Sequence, residues 1–462
     1  MNYANTHGYS GLLLGNGTFL ISAGLPITCT VQGSGMGYTA ITFPGGLQYN
    51  QALSVSKPGL TLSQFSLICS GPASADSHGV PLPSTAGILV QGQNGTTISS
   101  VNFIGISGDG SSAIALMVNP STKAPTTNTV INGCSFSGYF NTYITLDGVN
   151  GAWIQNCTAS SGQGALLYAC VFDGYFIRSD ATVANYNVSI LNDNWSSSYN
   201  TAWCIALGNL NNNGVTISGN VTNGFATGVG IGPSAMGAAS TTSIATSSAN
   251  ITVSGNNFQA SGGGYLAAPG VCCATNGTSS SVDTVAITSN QITSSAQAPA
   301  CLFWGDYNSP VQNFNCSQNV ITGCSDDFIA FAVGNLSITS NTAQYFYDSF
   351  FGGVACYGNL TCSGNTISNP VYSYPSSFYT QAPPPAIALI DYTESNTYAF
   401  AGTQPPLGKL NIQNNGESGA KGFTNLIFTV GVNPPVPPDS SGTTTWVISG
   451  NTSQSMLPNQ IN

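Results

Sequence analysis

Charge is what this chain has least of. Only 4% of its 462 residues are Asp, Glu, Lys or Arg, against about 25% in ordinary soluble domains. One arginine, Arg178, stands among five basic residues, and the net charge is -10. Nucleic acid is excluded as a partner, because binding it requires Lys and Arg to neutralise phosphate. Chemistry that grips anionic groups has few candidates for the same reason. Histidine is scarcer still. His7 and His78 stand alone, so no Ser-His-Asp triad can be assembled. No Cys-x-x-Cys pair suggests a metal site, and no cofactor motif is present. No apolar run reaches the roughly 18 residues of a membrane span. The opening Met-Asn-Tyr-Ala-Asn-Thr-His has no basic stretch ahead of an apolar one, so no secretory leader is legible.

What the chain does have is one short phrase, repeated. Residues 336–341 read Leu-Ser-Ile-Thr-Ser-Asn and 360–365 read Leu-Thr-Cys-Ser-Gly-Asn. Residues 215–220 read Val-Thr-Ile-Ser-Gly-Asn and 251–256 read Ile-Thr-Val-Ser-Gly-Asn. Further copies end at Asn290, Asn319 and Asn451, and degenerate ones at Cys134, Cys157 and Asn194. Apolar residues alternating with small polar ones make a strand with one buried face. Recurrence every 22 to 37 residues means stacked turns of one coil rather than a single compact core. An Asn at the same place on each turn can bond to the next, giving an internal ladder of amides. The pattern predicts an all-β fold, a right-handed parallel β-helix. About ten to twelve rungs at roughly 4.8 Å each would make a rod of about 50 to 60 Å.

Residues 17–26 (Gly-Thr-Phe-Leu-Ile-Ser-Ala-Gly-Leu-Pro) and 31–43 (Val-Gln-Gly-Ser-Gly-Met-Gly-Tyr-Thr-Ala-Ile-Thr-Phe) resemble the N-terminal cap and first rungs of the pectate-lyase-like β-helix superfamily. That resemblance implies the fold but no activity, since the superfamily holds lyases, hydrolases, phage tailspikes and inert spikes. It divides the chain into a cap with opening rungs (1–70), a regular β-helix (71–370) and a C-terminal elaboration (371–462). The last part is rich in Tyr and Pro. Its Tyr374, Tyr379 and Tyr392 are candidates for a ligand-binding surface or for a lid over the last rung. Tailspike-like β-helices are often trimers, so the resemblance implies a homotrimer, although no segment marks itself as a trimerisation element.

Glycoside hydrolysis needs two carboxyls about 5 to 9.5 Å apart. Asp147 and Asp173 each end a strand ahead of Gly in consecutive turns and are the leading pair; Asp306 and Asp327 are alternates. Asp-Gly is also a common turn dipeptide whose side chain caps backbone amides. Asp326-Asp327 is similar to the paired aspartates of polygalacturonases, but the rest of that pattern is missing. Trp195, Trp203, Trp304, Tyr307, Tyr345 and Tyr347 are candidates for binding sugar without cleaving it.

Twelve Asn-x-Ser/Thr sequons occur. Asn335 and Asn359 follow strand-ending glycines, where a glycan would project; Asn276 and Asn187 are further candidates. Thirteen cysteines are an odd number and read mainly as stacked buried thiols. Few titrating groups suggest stability that changes little with pH. The expectation is a surface-exposed structural spike on a virion, acting outside the cell. It would engage host-surface glycans or envelope and be held by other virion proteins; an acidic habitat would fit. A polysaccharide-degrading enzyme and a secreted adhesin are the alternatives.

Overall fold

The computed structural model describes residues 6–43, 51–70, 86–106, 114–121, 124–138, 140, 142–161, 169–172, 184–197, 203–208, 211–233, 245–260, 268–275, 280–295, 298–345, 349–369, 387–390, 407–418, 427–430 and 446–453. The fold is a right-handed parallel β-helix, the hand expected of crossovers between parallel strands. It divides into two compact units, Met1–Phe225 and Ala226–Asn462.

Most turns are built from three strands, although Thr61–Ser70 and Thr97–Ile106 each run unbroken through the second and third positions. In Ala226–Asn462, one turn runs through Cys301–Trp304, Val311–Ser317 and Val320–Thr322, and the next through Phe328–Phe331, Val333–Thr339 and Thr342–Gln344. Each strand pairs in parallel with its counterpart one turn on, as Phe314 does with Leu336 and Cys316 with Ile338. The first strand of each turn is buried on both faces, so it reads as an unbroken apolar run such as Phe-Ile-Ala-Phe. The long second strand alternates: Leu336 and Ile338 point inward, Ser337 and Thr339 outward.

Between the second and third strands the chain turns through a left-handed residue and then the ladder position. Ser289, Gln318 and Ser340 have φ of 56°, 59° and 56°, and the residue after each is Asn. Asn256, Asn290, Asn319, Asn341, Asn365, Asn415 and Asn451 form one continuous ladder. Each Nδ2 donates to the Oδ1 of the next at 2.8 to 3.1 Å. All but Asn451 are at most 1% exposed. Neutral amides satisfy one another there without the desolvation cost of charge.

Met1–Phe225 repeats the plan. Its long strands include Thr126–Asn132, Val149–Gln155, Ala184–Leu191 and Asn211–Ser218. The ladder slot changes identity here: Cys134, Cys157, Asp193 and Asn220 follow in register. The sequence reading placed Asn194 in that slot. The structure puts Asp193 there, its Oδ1 accepting the Cys157 N–H at 2.6 Å, while Asn194 opens the third strand, Asn194–Ser196.

Described rungs occur within 1–70 and beyond 370 as well. Gly11–Leu13 already pairs with Thr30–Gln32, and Gly17–Leu20 with Thr39–Phe43. Beyond residue 370, Leu407–Gln413 and Trp446–Ser449 continue the long strands. Asn415, passed over in the sequence, is the ladder residue of the first of these.

Candidate functional site

Of the carboxyls proposed for catalysis, the three that are described, Asp147, Asp306 and Asp327, are all buried. Asp147 is 1% exposed and sits inside its unit, with its backbone N–H bonded to Val118 O at 2.9 Å. Its supposed register partner, Asp173, lies outside the described residues; the neighbouring Phe172 pairs with Thr145, two positions ahead of Asp147. Asp306 is a turn capper. Its Oδ1 accepts the N–H groups of Asn308 at 2.8 Å and Ser309 at 2.7 Å, as Asp does at turns.

Asp326 and Asp327, neighbours in sequence, are both buried. Asp326 Oδ1 accepts from Ser349 N–H at 3.1 Å and Ser349 Oγ at 2.7 Å. Asp327 is 0% exposed, and neither of its oxygens has a hydrogen-bond partner among the described residues. Burial, then the charge of Asp326, holds the Asp327 carboxyl well above the usual range, so it is kept as a neutral acid. An acid walled in by the core has no access to a glycosidic bond.

The surface itself is the remaining candidate. In Ala226–Asn462 two columns of outward positions run up the later part of the long strands, while the charged Asp283 and Lys409 stand outward nearer the strand starts. Thr252, Ala286, Asn315, Ser337, Thr361 and Asn411 make one; Ser254, Thr288, Ser317, Thr339, Ser363 and Gln413 make the other. Twelve positions carry eleven neutral hydroxyls or amides and no charge. A second set of amides runs up the corner that opens each long strand. Asn335 Nδ2 donates to Asn313 Oδ1 at 3.0 Å, Asn359 N–H donates to Asn335 Oδ1 at 2.9 Å, and Lys409 N–H donates to Asn359 Oδ1 at 3.1 Å. Asn313 and Asn335 have φ of 59° and 50°, a conformation that Asn tolerates and most side chains do not.

The sequon candidates Asn335, Asn359 and Asn187 are therefore corner residues. Asn359 and Asn187 are exposed and Asn335 is half-buried; Asn276 lies outside the described residues. Asn220 and Asn451, also in sequons, are internal ladder residues. Tyr374, Tyr379 and Tyr392 lie outside the described residues.

Of the aromatic candidates, Trp195 is core, 0% exposed, with its ring 6.3 Å from that of Phe136. Trp304 and Tyr307 pack partly buried against Cys272, Leu302 and Phe331. Tyr345 is exposed, and Tyr347 lies outside the described residues. Five exposed aromatics were missed: Tyr9, Phe19, Tyr38, Trp153 and Tyr186. The signal for Trp153 was available. In Ala-Trp-Ile-Gln-Asn-Cys it holds the outward slot that other copies of the phrase fill with Ser, Thr, Ala, Asn or Val.

Among the described residues no group of three or more His, Cys, Asp or Glu is placed to hold a metal ion. The twelve cysteines whose surroundings are described are all buried thiols. No helix of the described residues is long and apolar enough to cross a membrane.

No protein-family model matches the chain, and neither does any curated protein. Solved structures do. The surface adhesin PfbA of Streptococcus pneumoniae aligns at a TM-score of 0.54 with 14% identity, covering 93% of this chain and 94% of that one. The A-module of the mannuronan C-5 epimerase AlgE6 of Azotobacter vinelandii aligns at 0.45 with 14% identity, over 81% and 93%. The catalytic domain of a GH87 alpha-1,3-glucanase aligns at 0.38 with 11% identity, over 84% and 65%. The likeness to the adhesin is one of fold.

Proposed function

We propose that this chain is a surface-exposed, non-catalytic display protein whose charge-poor outer faces engage neutral glycans. One observation carries the reading. Two columns of outward positions on the long strands hold mainly hydroxyls and amides at rung spacing, while every described carboxyl nominated for catalysis is buried. Neutral hydroxyls and amides exchange hydrogen bonds with sugar hydroxyls as readily as with water, and charge plays no part. The pneumococcal protein of similar fold is a surface adhesin by name, which supports display outside a cell. A virion spike is the finer form of this proposal. It rests on the very low charge and the twelve sequons, and it carries with it a homotrimer and anchoring by other virion proteins.

The test is an assay of the full chain on a panel of neutral polysaccharides, scoring retention and release of reducing ends together. Retention without release is the expected result. Release that persists on repurification would overturn the non-catalytic reading in favour of a depolymerase. Electron microscopy with labelled antibody on virions and on cells separates the virion form from a cell-surface adhesin.

A further inference from the structure

We propose that Trp153, with Tyr186 on the next turn, forms a stacking platform for a neutral pyranose chain. The inference rests on the display function proposed above and gives it a site.

Trp153 is not a stray surface aromatic. Its strand, Val149–Gln155, turns its corner at Gly151, which has φ of +77°. A Cβ at Gly151 would lie 3.4 Å from Trp153 Cη2 and 3.0 Å from Asn128 Oδ1. The indole is therefore folded back along its own strand, over a residue that has no side chain. That seats the far edge of the ring beside the Gly151 backbone and leaves the side chain partly open to solvent. Val130 and Ser189, its register neighbours on the turns either side, are small. Trp153 is 36% exposed and Tyr186 45%. Tyr186 pairs with Asn150, three residues before Trp153, so the two aromatics flank the same corner within about 11 Å by backbone geometry.

The rim is made of exposed amides held in place by one another. Asn128 Nδ2 donates to Asn94 Oδ1 at 3.0 Å, and the Thr127 hydroxyl donates to the same oxygen at 2.8 Å. Asn187 Nδ2 donates to Asn150 Oδ1 at 2.9 Å. An amide has two N–H donors and two acceptor sites, so each keeps capacity for a ligand while its orientation is fixed.

No charged residue occurs in Thr126–Asn132, Val149–Gln155, Ala184–Leu191 or Asn211–Ser218. An ionic ligand gains nothing there, and a purely apolar one would strip water from the amides without replacing it. A pyranose meets both demands. Its C–H face carries slight positive charge and stacks on the negative face of a ring, while its hydroxyl edge reaches the amides.

The experiment compares the full chain with Trp153→Ala, Trp153→Phe, Tyr186→Ala and the double alanine variant. Affinity electrophoresis through neutral glucans, mannans and galactans reads binding, and thermal melting reads the fold. The expected result is unchanged melting, affinity reduced about tenfold or more in Trp153→Ala, partial retention in Trp153→Phe, and binding unaffected by about 1 M salt. If the wild-type chain binds a glycan and the alanine variants bind it equally, the site is wrong and the display function stands. If the wild-type chain binds none of the glycans, both fail. If Trp153→Ala instead abolishes self-association seen by sedimentation, the patch is a contact between copies and the glycan site is overturned.

Discussion

Asp193 stands where most turns place asparagine. Its Oδ1 accepts the Cys157 N–H, and its own N–H donates to Asn220 Oδ1 at 2.9 Å. Burial, offset by the bonds from Cys157, pushes its carboxyl up to about 7. Protonated, Oδ2 becomes a donor like the Nδ2 of a ladder asparagine. A folded pKa above the unfolded value of about 3.9 means the contribution is complete below about pH 4 and lost as pH rises through about 7. Asp193→Asn should therefore melt higher than wild type at pH 8 and match it closely near pH 4; superimposable melting curves at pH 8 would refute the assignment. The regular rungs make a second residue-scale contrast. Asn319 makes four ladder bonds, donating to Ile287 O and Asn341 Oδ1 and accepting from Asn290 N–H and Nδ2. Asn319→Ala leaves several buried groups unpaired and should cost on the order of 3 kcal/mol. The corner residue Asn335 faces water, so Asn335→Ala should cost about 1 kcal/mol or less. Denaturant midpoints of the two variants measure the difference.

At the scale of the element, parallel register does something no single residue does. Ser135 pairs with Thr158, so Cys134 and Cys157 stand opposite each other on adjacent turns. Rung spacing puts their Cα atoms about 4.8 Å apart, inside the range that a disulfide spans. Their thiols share a hydrogen bond, which lowers Cys134 and raises Cys157. A diamide-type oxidant should join them, each thiol giving up one proton and one electron. Peptide mapping should find that crosslink in wild type and lose it in Cys134→Ser. Mapping of fully oxidised protein with both cysteines still free would contradict this geometry. Turns impose a constraint of their own at Gly224, where φ is +79° and a Cβ would lie 1.9 Å from Ser197 O. Any side chain there must push the neighbouring turn aside.

Across the whole chain, scarcity of charge leaves few groups to screen, so added salt should shift the melting temperature little. Dependence on pH is another matter. The sequence alone suggested little, because so few groups titrate. The structure corrects this, because three of those few, Asp193, Asp326 and Asp327, are buried and have raised pKa values, each chiefly through desolvation. All three favour the folded state below the unfolded carboxylate pKa and lose that contribution as pH rises. The melting temperature of the intact protein should fall from about pH 4 to about pH 8. Scanning calorimetry at fixed ionic strength decides it, and a rise over that range would be the opposite of what buried carboxyls require. The acid-favoured stability expected here follows from buried carboxyls and needs no assumption about habitat.

Sequence by itself determined the coil. Alternation fixes which residues share a face, the returning asparagine fixes where each turn closes, and both follow from local stereochemistry that any window of the chain displays. Only the tertiary structure decided which face looks inward around a corner. A left-handed residue such as Asn187, with φ of 54°, sits where alternation breaks, leaving Tyr186 and Asn187 both exposed in succession. Parity counted along the sequence fails across such a residue. That is why Trp195 turned out to be core, and why Asp193 rather than Asn194 took the ladder slot, whereas Trp153 keeps the outward position that alternation gives it. Whether an aspartate caps a turn, as Asp306 does, or lies sealed in the core, as Asp327 does, depends on what the adjacent turns place around it, and those neighbours are 20 or more residues away in the chain.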